Sequence, residues 1–466
     1  DVALLKGRAN YLCRHRLRAA QGHPSLRHPE LLNQLEIIRE WASTTSTGEI
    51  SEVSQLPEDA PLWSFVTSDA DICTQHEGHE LDDCFVYQAR KRAALADIVV
   101  VNHHLFFADL ALKEGGFGDL LPDVSLIVLD EAHQIPEIAS QFFGQRLTGR
   151  QLRDLARDTA AEQQAEARDM GGLRDATNVL ELEANKFRLA FGREQRRDAW
   201  RAVQSDREVT QALERLRTAY VRLHEELDVA APRSKGLTAC LRRCEAQVEV
   251  LETFAEASAK GDWIHWFETF RNGFQLSRTP LDIAVPFQRT VRNLHASWIY
   301  TSATLSIDGD FSHFRKQLGL DEAEECQQDS PFDYENNALL YHPQSMPDPR
   351  EQHFVNTILH RALPIIEASG GRTFFLFTSY YALNEAAEWL NGRIEYPLLV
   401  QGQKPKLDLL AEFQALGNAV LLGTSSFWEG VDVRGQALSC VIIDKLPFAS
   451  PGDPVVQAKH IQRTAL

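Results

Sequence analysis

The chain has 466 residues, 44% hydrophobic and 24% charged, with 26 Gly and 19 Pro. This is ordinary globular make-up; it excludes collagenous, low-complexity and largely disordered chains, and at roughly 150 residues per domain it predicts two to four domains. The 48 Lys and Arg against 66 Asp and Glu leave a formal net charge of −18, which excludes indiscriminate coating of polyanions and requires any nucleic-acid partner to be met by a local basic groove.

No apolar run approaches the ~18 uncharged residues of a membrane helix. The richest, Ile98 to Leu112, is broken by Asn102, His103, His104 and Asp109, so no membrane association is expected. Seven Cys are too few, and odd in number, for a disulfide scaffold; a reducing, cytoplasmic compartment is expected. The first residue is Asp and no signal-type segment follows it, which predicts that the chain begins inside a longer gene product.

In chain order, the polar stretch Ser43 to Pro61 is expected to be a loop. Ile98 to Val101 and Leu126 to Leu129 are short, wholly apolar runs, the pattern of parallel strands buried on both faces. No Pro occurs between Pro136 and Pro232, and the intervening sequence is rich in Ala, Leu, Glu, Arg and Gln. Leu213, Leu216, Tyr220 and Leu223 recur at helical spacing, so Ile138 to about Arg278 is predicted to be a helical insertion with a break near Asp228 to Lys235. Strands follow at Trp298 to Thr301, Thr373 to Phe377, Val420 to Leu422 and Val441 to Ile443, with a helix at Ala382 to Leu390. The alternation is that of α/β units.

The strongest chemical signal is Leu126-Ile-Val-Leu-Asp130-Glu131-Ala132-His133. A buried strand here delivers two adjacent carboxylates at its C-terminal end, where open α/β sheets bind ligands. One carboxylate suits a hydrated Mg²⁺ beside nucleotide phosphates, and its neighbour suits an attacking water. Taken alone, Thr301-Ser302-Ala303-Thr304 is a small polar turn after a strand. Glu429-Gly430-Val431-Asp432 is a strand-to-helix turn in which Gly430 supplies an unusual backbone angle and Asp432 a cap. Phe106 and Phe107 follow a strand and are read as core before they are read as base-stacking residues.

Together these stretches resemble the XPD-like, iron–sulfur group of superfamily 2 DNA helicases, and its bacterial DinG/YoaA branch most closely. The resemblance runs nearly end to end through Leu5-Lys-Gly-Arg-Ala-Asn-Tyr-Leu-Cys13, Val101-Asn-His-His-Leu105, the Asp-Glu-Ala-His box, Tyr300-Thr-Ser-Ala-Thr304, Phe375-Leu-Phe-Thr-Ser379, Ser426-Phe-Trp-Glu-Gly-Val-Asp432 and Lys445-Leu-Pro-Phe448. It implies an α/β fold of two RecA-like parallel-sheet motor domains with a cysteine-bearing insertion and a helical arch. The first motor domain would span residues 1–135, with the cysteine insertion at about 13–90, and resume at 284–325; the arch would span 136–283 and the second motor domain 326–466.

The resemblance further implies ATP-driven, 5′ to 3′ translocation on single-stranded DNA, unwinding of forked DNA in repair or replication, a monomeric enzyme and replication or repair proteins as partners. Asp130 would hold Mg²⁺, Glu131 activate water and His133 link the nucleotide site to the rest of the motor. Ser302 and Thr304 would couple hydrolysis to domain movement, while Glu429, Gly430 and Asp432 would touch nucleotide and strand. Asn102 and His103 would lie close to the strand. Basic residues meeting DNA would come from two clusters, Lys6, Arg8, Arg14 and Arg16, and Arg90, Lys91 and Arg92, drawn together if the cysteines share a site.

In the resembled family four thiolates hold a [4Fe–4S] cluster. Cys13, Cys73 and Cys84 match three places, but Gly78 stands at the fourth. Either His76 or His79 substitutes as ligand, or the site holds no cluster. Cys240 and Cys244 sit one helical turn apart with no second pair nearby and are read as a chance spacing, not a metal site; Cys326 and Cys440 are expected to be structural. No Gly-x-x-x-x-Gly-Lys-Ser/Thr loop and no final arginine motif occur; truncation at both ends is the expectation, against the alternative of a non-catalytic, DNA-binding or partner-docking helicase relic.

Overall fold

The computed structural model describes residues 1–20, 26, 28–53, 55–57, 60–68, 83–114, 121–257, 261–428, 430–449 and 452–465. The strands in chain order are β1 (Val2–Leu5), β2 (Ile98–Val101), β3 (Leu126–Leu129), β4 (Gln145–Thr148), β5 (Arg197–Ala199), β6 (Trp263–Phe270), β7 (Gly273–Pro280), β8 (Ser297–Tyr300), β9 (Thr373–Leu376), β10 (Leu398–Val400), β11 (Val420–Gly423) and β12 (Cys440–Ile443). The chain forms two compact units, residues 1–102 with 328–448 and residues 103–327 with 449–466, and so passes between them three times, after Asn102, Gln327 and Phe448.

In the unit formed by 1–102 and 328–448, β1 pairs in parallel with β2 from Val2↔Ile98 to Leu5↔Val101. A four-stranded parallel sheet has the order β10-β11-β9-β12. Its inner strands, Thr373-Phe-Phe-Leu and Val420-Leu-Leu-Gly, are buried at every position. Alternate residues serve opposite faces. Phe375 and Leu422 pack under the helices Phe354–Ala368 and Tyr380–Leu390, while Phe374 and Leu421 pack against Leu409 and Phe413 of the helix Lys406–Leu416.

The expectation of strands buried on both faces holds for β9 and β11 only. β2, β3, β8 and β12 alternate between more and less exposed residues. They lie at an edge or in two-stranded pairs, where packing covers one face and the period of two returns.

In the other unit, β3 pairs in parallel with β8, from Leu126↔Ser297 to Leu129↔Tyr300. Phe107 stacks on Phe142, and Phe106 and Phe287 pack edge-on against Trp298, so Phe106 and Phe107 are core.

The expectation of helix throughout Ile138 to Arg278 fails at Gln145–Thr148, Arg197–Ala199 and from Trp263 onward, which are strands. The predicted helical insertion has four helices, Gly149–Glu166, Gly171–Ala190, Arg207–Ala230 and Lys235–Ala255. Leu213, Leu216, Tyr220, Leu223 and Leu227 are all buried on one face of the third. Thr148 and Gln151 form a capping box at the first, Asp206 caps the third and Ser234 the fourth, each cap worth about 1 kcal/mol. The predicted break falls at Ala231–Arg233, where Pro232 lies between Ala230 and the Ser234 cap.

The insertion also contains a four-stranded antiparallel sheet, β4-β7-β6-β5, that the composition did not reveal. Phe267, Phe274, Leu276 and Leu147 of this sheet join Phe187, Leu223 and Phe254 of the helices in one core. Burying each such side chain contributes about 1.5–3 kcal/mol. The ion pairs that rim the helices, such as Arg217 with Glu252, are partly exposed and worth at most about 1 kcal/mol each, so the core decides the fold. The last helix, Pro454–Ala465, packs on β5 and β6, with Asp453 just before it paired to Arg197 at 2.8 Å.

His265 of β6 stands opposite Arg278 of β7 with its Nε2 buried and without a hydrogen-bond partner among the described residues. Burial, and then the charge of Arg278, lowers its pKa from 6.5 to about 4. Because the folded value lies below the unfolded one, this group leaves stability intact above pH 6.5. Stability is lost as pH falls from 6.5 towards about 4, where the unfolded chain takes up a proton that the folded one refuses. His265→Phe should therefore flatten the fall in melting temperature across that window; parallel curves for variant and wild type would contradict it.

Candidate active site

The parallel register of β3 with β8 ends both strands level, so Asp130-Glu131 and Thr301-Ser302 leave the sheet side by side. The ladder continues one step further: the Thr301 amide donates to the Leu129 carbonyl and the Ala132 amide to the Thr301 carbonyl, both at 2.9 Å. Glu131 is thereby held at φ 49° and ψ 43°, in the left-handed region. For a residue with a Cβ this costs about 1–2 kcal/mol, a strain that the ladder on either side must over-determine.

The side chains converge on Ser302. Its Oγ lies 3.2 Å from Glu131 Oε2 and 2.8 Å from His133 Nδ1, and the Thr304 amide reaches it at 3.3 Å. Glu131 and His133 are themselves 3.3 Å apart. An ionised carboxylate only accepts, so the single Ser302 hydroxyl proton points to Glu131. That leaves His133 Nδ1 to donate to Ser302 Oγ, which fixes the tautomer. The result is a directed chain, His133 Nδ1–H to Ser302 Oγ–H to Glu131. The Glu131 side chain is 53% exposed, so a water can reach it.

The Asp130 carboxylate is exposed, and no described side chain hydrogen-bonds to it. The Asp130 carbonyl is held from behind by the half-buried His103 ring. Burial lowers the His103 pKa more than this hydrogen bond raises it, so His103 is a neutral donor at pH 7. Sequence reading placed His103 near a strand and missed its bond to Asp130; the adjacency of two strand ends carries no local signal. Asn102, exposed, is the last residue before the first passage between units.

Residues 425–428 and 430–432 belong to the unit with the four-stranded parallel sheet. Gly430 has φ 65°, as its predicted turn requires. Asp432 is exposed and pairs with Arg434 at 3.1 Å; Glu429 lies outside the described residues. Two polar bridges beside this turn went unforeseen. Thr378 donates through amide and hydroxyl to Asp444, whose pKa burial raises, and Gln401 accepts from Thr424 while donating to Tyr380 and Ser426. Each ties together strand ends distant in sequence.

Around the cysteines, Cys13 follows Leu12, whose amide donates to the Gly48 carbonyl, and Gly48 packs on the Phe85 ring next to Cys84. Arg14 stacks over the same ring at 4.9 Å. The segments bearing Cys13 and Cys84 thus meet, and both thiols are free and half-exposed. Cys73, His76, Gly78 and His79 lie outside the described residues. The helix Phe85–Leu95, which carries the second basic cluster, lies beside the segment of the first, with Arg14 over Phe85. Lys6, however, is paired with Glu49 at 2.5 Å, and Arg16 donates to the Ser64 and Phe65 carbonyls. These two hold the region together; Arg8 is half-buried, and Arg90, Lys91 and Arg92 lie on the helix Phe85–Leu95. Cys240 and Cys244 are buried, which raises both thiol pKa values, that of Cys244 to about 12. Buried thiols of raised pKa are chemically inert.

Residues 362–464 match the model of a helicase C-terminal domain. The ATP-dependent DNA helicase YoaA of Haemophilus influenzae is 41% identical over 459 residues, 98% of this chain and 72% of that protein. The chain belongs to that helicase family. The ATP-dependent helicase DinG of Mycobacterium tuberculosis is 30% identical over 491 residues, 98% of this chain and 70% of that protein. The solved structure of S. tokodaii Xpd4 aligns with a TM-score of 0.45 at 16% identity, over 84% of this chain and 76% of that one. Membership makes the chain an enzyme of the ATP-dependent helicase class, and the Asp-Glu-Ala-His turn is where its geometry is most fully assembled.

In the structure Ser302 bridges His133 and Glu131. Ser302→Ala removes the bridge from a partly exposed place, so the melting temperature should barely move. ATP turnover of the full-length gene product should drop roughly tenfold, a modest share of what a general acid–base partner supplies, with Ser302→Thr restoring most of it. Full turnover in the alanine variant would remove Ser302 from the relay.

Proposed function

We propose that this helicase hydrolyses ATP at the Asp130–Glu131 turn and uses the energy to translocate 5′ to 3′ along single-stranded DNA, opening forked duplexes in repair or replication. The observation that carries the reading is the chain from His133 through Ser302 to Glu131, which joins the carboxylate turn to the segment after β8. Asp130, with no side-chain partner among the described residues, would hold a hydrated Mg²⁺, which when bound neutralises phosphoryl oxygens. Glu131 orients the attacking water and accepts its proton. The protonated Nδ1 of His133 holds Ser302 in place, and Thr304 fixes Ser302 from the other side.

Movement follows if nucleotide loss or binding shifts the Ser302–Thr304 turn and the Glu429, Gly430 and Asp432 turn together. His103, bonded to the Asp130 carbonyl, links the strand contact at Asn102 to the carboxylate turn. Arg8, Arg90, Lys91 and Arg92 would meet phosphates of the incoming strand. These contacts are sequence-indifferent and salt-sensitive. The enzyme would act as a cytoplasmic monomer; among the described helices none is long and apolar enough to cross a membrane.

Because the sequence contains no phosphate-cradling glycine loop, turnover is measured on the full-length gene product. There Glu131→Gln should keep nucleotide and strand binding while cutting hydrolysis by orders of magnitude, since an amide takes no proton from water. Wild-type turnover in that variant would refute the assignment.

Cys13 and Cys84 fit a cluster in chemistry and in the meeting of their segments; with Cys73 they would supply three thiolates, and a histidine or another group the fourth ligand to a [4Fe–4S] centre. Anaerobically purified protein should then be brown and carry about four irons per chain, with occupancy increased by Gly78→Cys. Colourless, iron-free protein from iron-replete cells would rule the cluster out.

A further inference from the structure

The chain's charge is unevenly placed. Residues 136–283 hold 23 of the 48 Lys and Arg against 24 Asp and Glu, a net charge of −1, so nearly all of the −18 lies outside the insertion. Several of the insertion's cations are neutralised locally, as in the pairs Arg157 with Asp154, Arg217 with Glu252, Arg233 with Asp169 and Arg243 with Asp158.

One place gathers cations that have no such carboxylate partner among the described residues. A pocket of about 470 Å³ opens where the helices Gly149–Glu166 and Gly171–Ala190 meet the turn between β6 and β7. Arg153 comes from the first helix, Asn185 and Arg188 from the second, and Arg271 and Asn272 from the turn, over a floor of Ala184 and Phe274. Its lining contains no carboxylate. A second pocket of the same volume on the insertion mixes Glu183 and Glu214 with Arg215 and Arg222.

The three arginines are not equivalent. Arg188 is 8% exposed, and its guanidinium donates to the carbonyls of Phe270, Gly192 and Glu194. It is a structural clamp that holds the β6–β7 turn against the helix and leaves positive charge in the pocket wall. Arg153, half-buried, and Arg271, exposed on the turn, have no hydrogen-bond or ion-pair partner among the described residues. Asn185 and Asn272 have none through their side chains. Two guanidinium forks and two amides thus stand without partners over an apolar floor, beside a buried fixed charge.

We propose that this pocket binds a phosphodiester of single-stranded DNA, making the insertion a second strand-holding surface in addition to the motor. The chemistry matches on two counts. A guanidinium fork pairs with the two free oxygens of a phosphodiester, and the exposed Leu189 of the pocket lining offers an apolar wall for the attached sugar. An acidic peptide would use the charge and leave that wall uncovered. The proposal rests on the helicase reading above.

The test is a double charge reversal, Arg153→Glu with Arg271→Glu, in the full chain, with binding of a fluorescein-labelled oligothymidylate followed by anisotropy over a salt series. Affinity at low salt should fall roughly tenfold, and the log–log salt slope should flatten by about 0.7 for each phosphate no longer neutralised. Arg271→Gln, at an exposed turn where folding is not in question, should give a smaller change of the same sign. Wild-type binding with unchanged affinity and slope in both variants would overturn the pocket and leave the helicase reading intact. A wild-type chain that binds no oligonucleotide would overturn both. Variants that lose binding to a fluorescent oligoglutamate but keep the oligonucleotide slope would overturn it in favour of an acidic protein partner.

Discussion

The structure around the carboxylate turn depends on one long-range constraint: β3 and β8 must lie side by side in register although some 170 residues separate the groups they bring together. Closing so long a loop as flexible chain would be unfavourable, though each doubling of length adds only about 0.6 kcal/mol. The insertion removes most of that cost by closing on itself first. Its opening strand β4 pairs with its closing strand β7, Gln145 opposite Arg278, so the chain leaves and re-enters at neighbouring points. A self-contained core of helices and sheet then acts as a rigid clip between β3 and β8.

What the sequence made legible was whatever repeats locally. The runs Ile98 to Val101 and Leu126 to Leu129 coincide with β2 and β3, and the heptad-like spacing from Leu213 to Leu223 coincides with one helix face. The acid pair and the Thr-Ser-Ala-Thr turn could be read for their chemistry because that chemistry is carried by residue type. The antiparallel sheet of the insertion was hidden for the opposite reason. β5 is three residues long, and Trp263 to Phe270 sits in a stretch whose neighbours are strong helix formers, so composition averaged over a window favours helix.

Pairings between distant segments were not legible at all. Nothing near Glu131 signals a left-handed backbone, because the conformation is imposed by Thr301 from the neighbouring strand. The same holds for His103 behind Asp130 and for Gln401 beneath Thr424. Basic residues were legible as clusters but not as free charges. Lys6 and Arg16 prove to be structural, whereas Arg153 and Arg271, isolated in sequence and unremarkable there, are brought together by folding.

The chain passes between its two units three times, after Asn102, Gln327 and Phe448. Each unit is therefore assembled from two separate runs of chain, so neither can be complete until its later run has been made. The first of these passages leads directly into His103, so the residue that opens the second unit is also the one whose ring interacts with the backbone of Asp130.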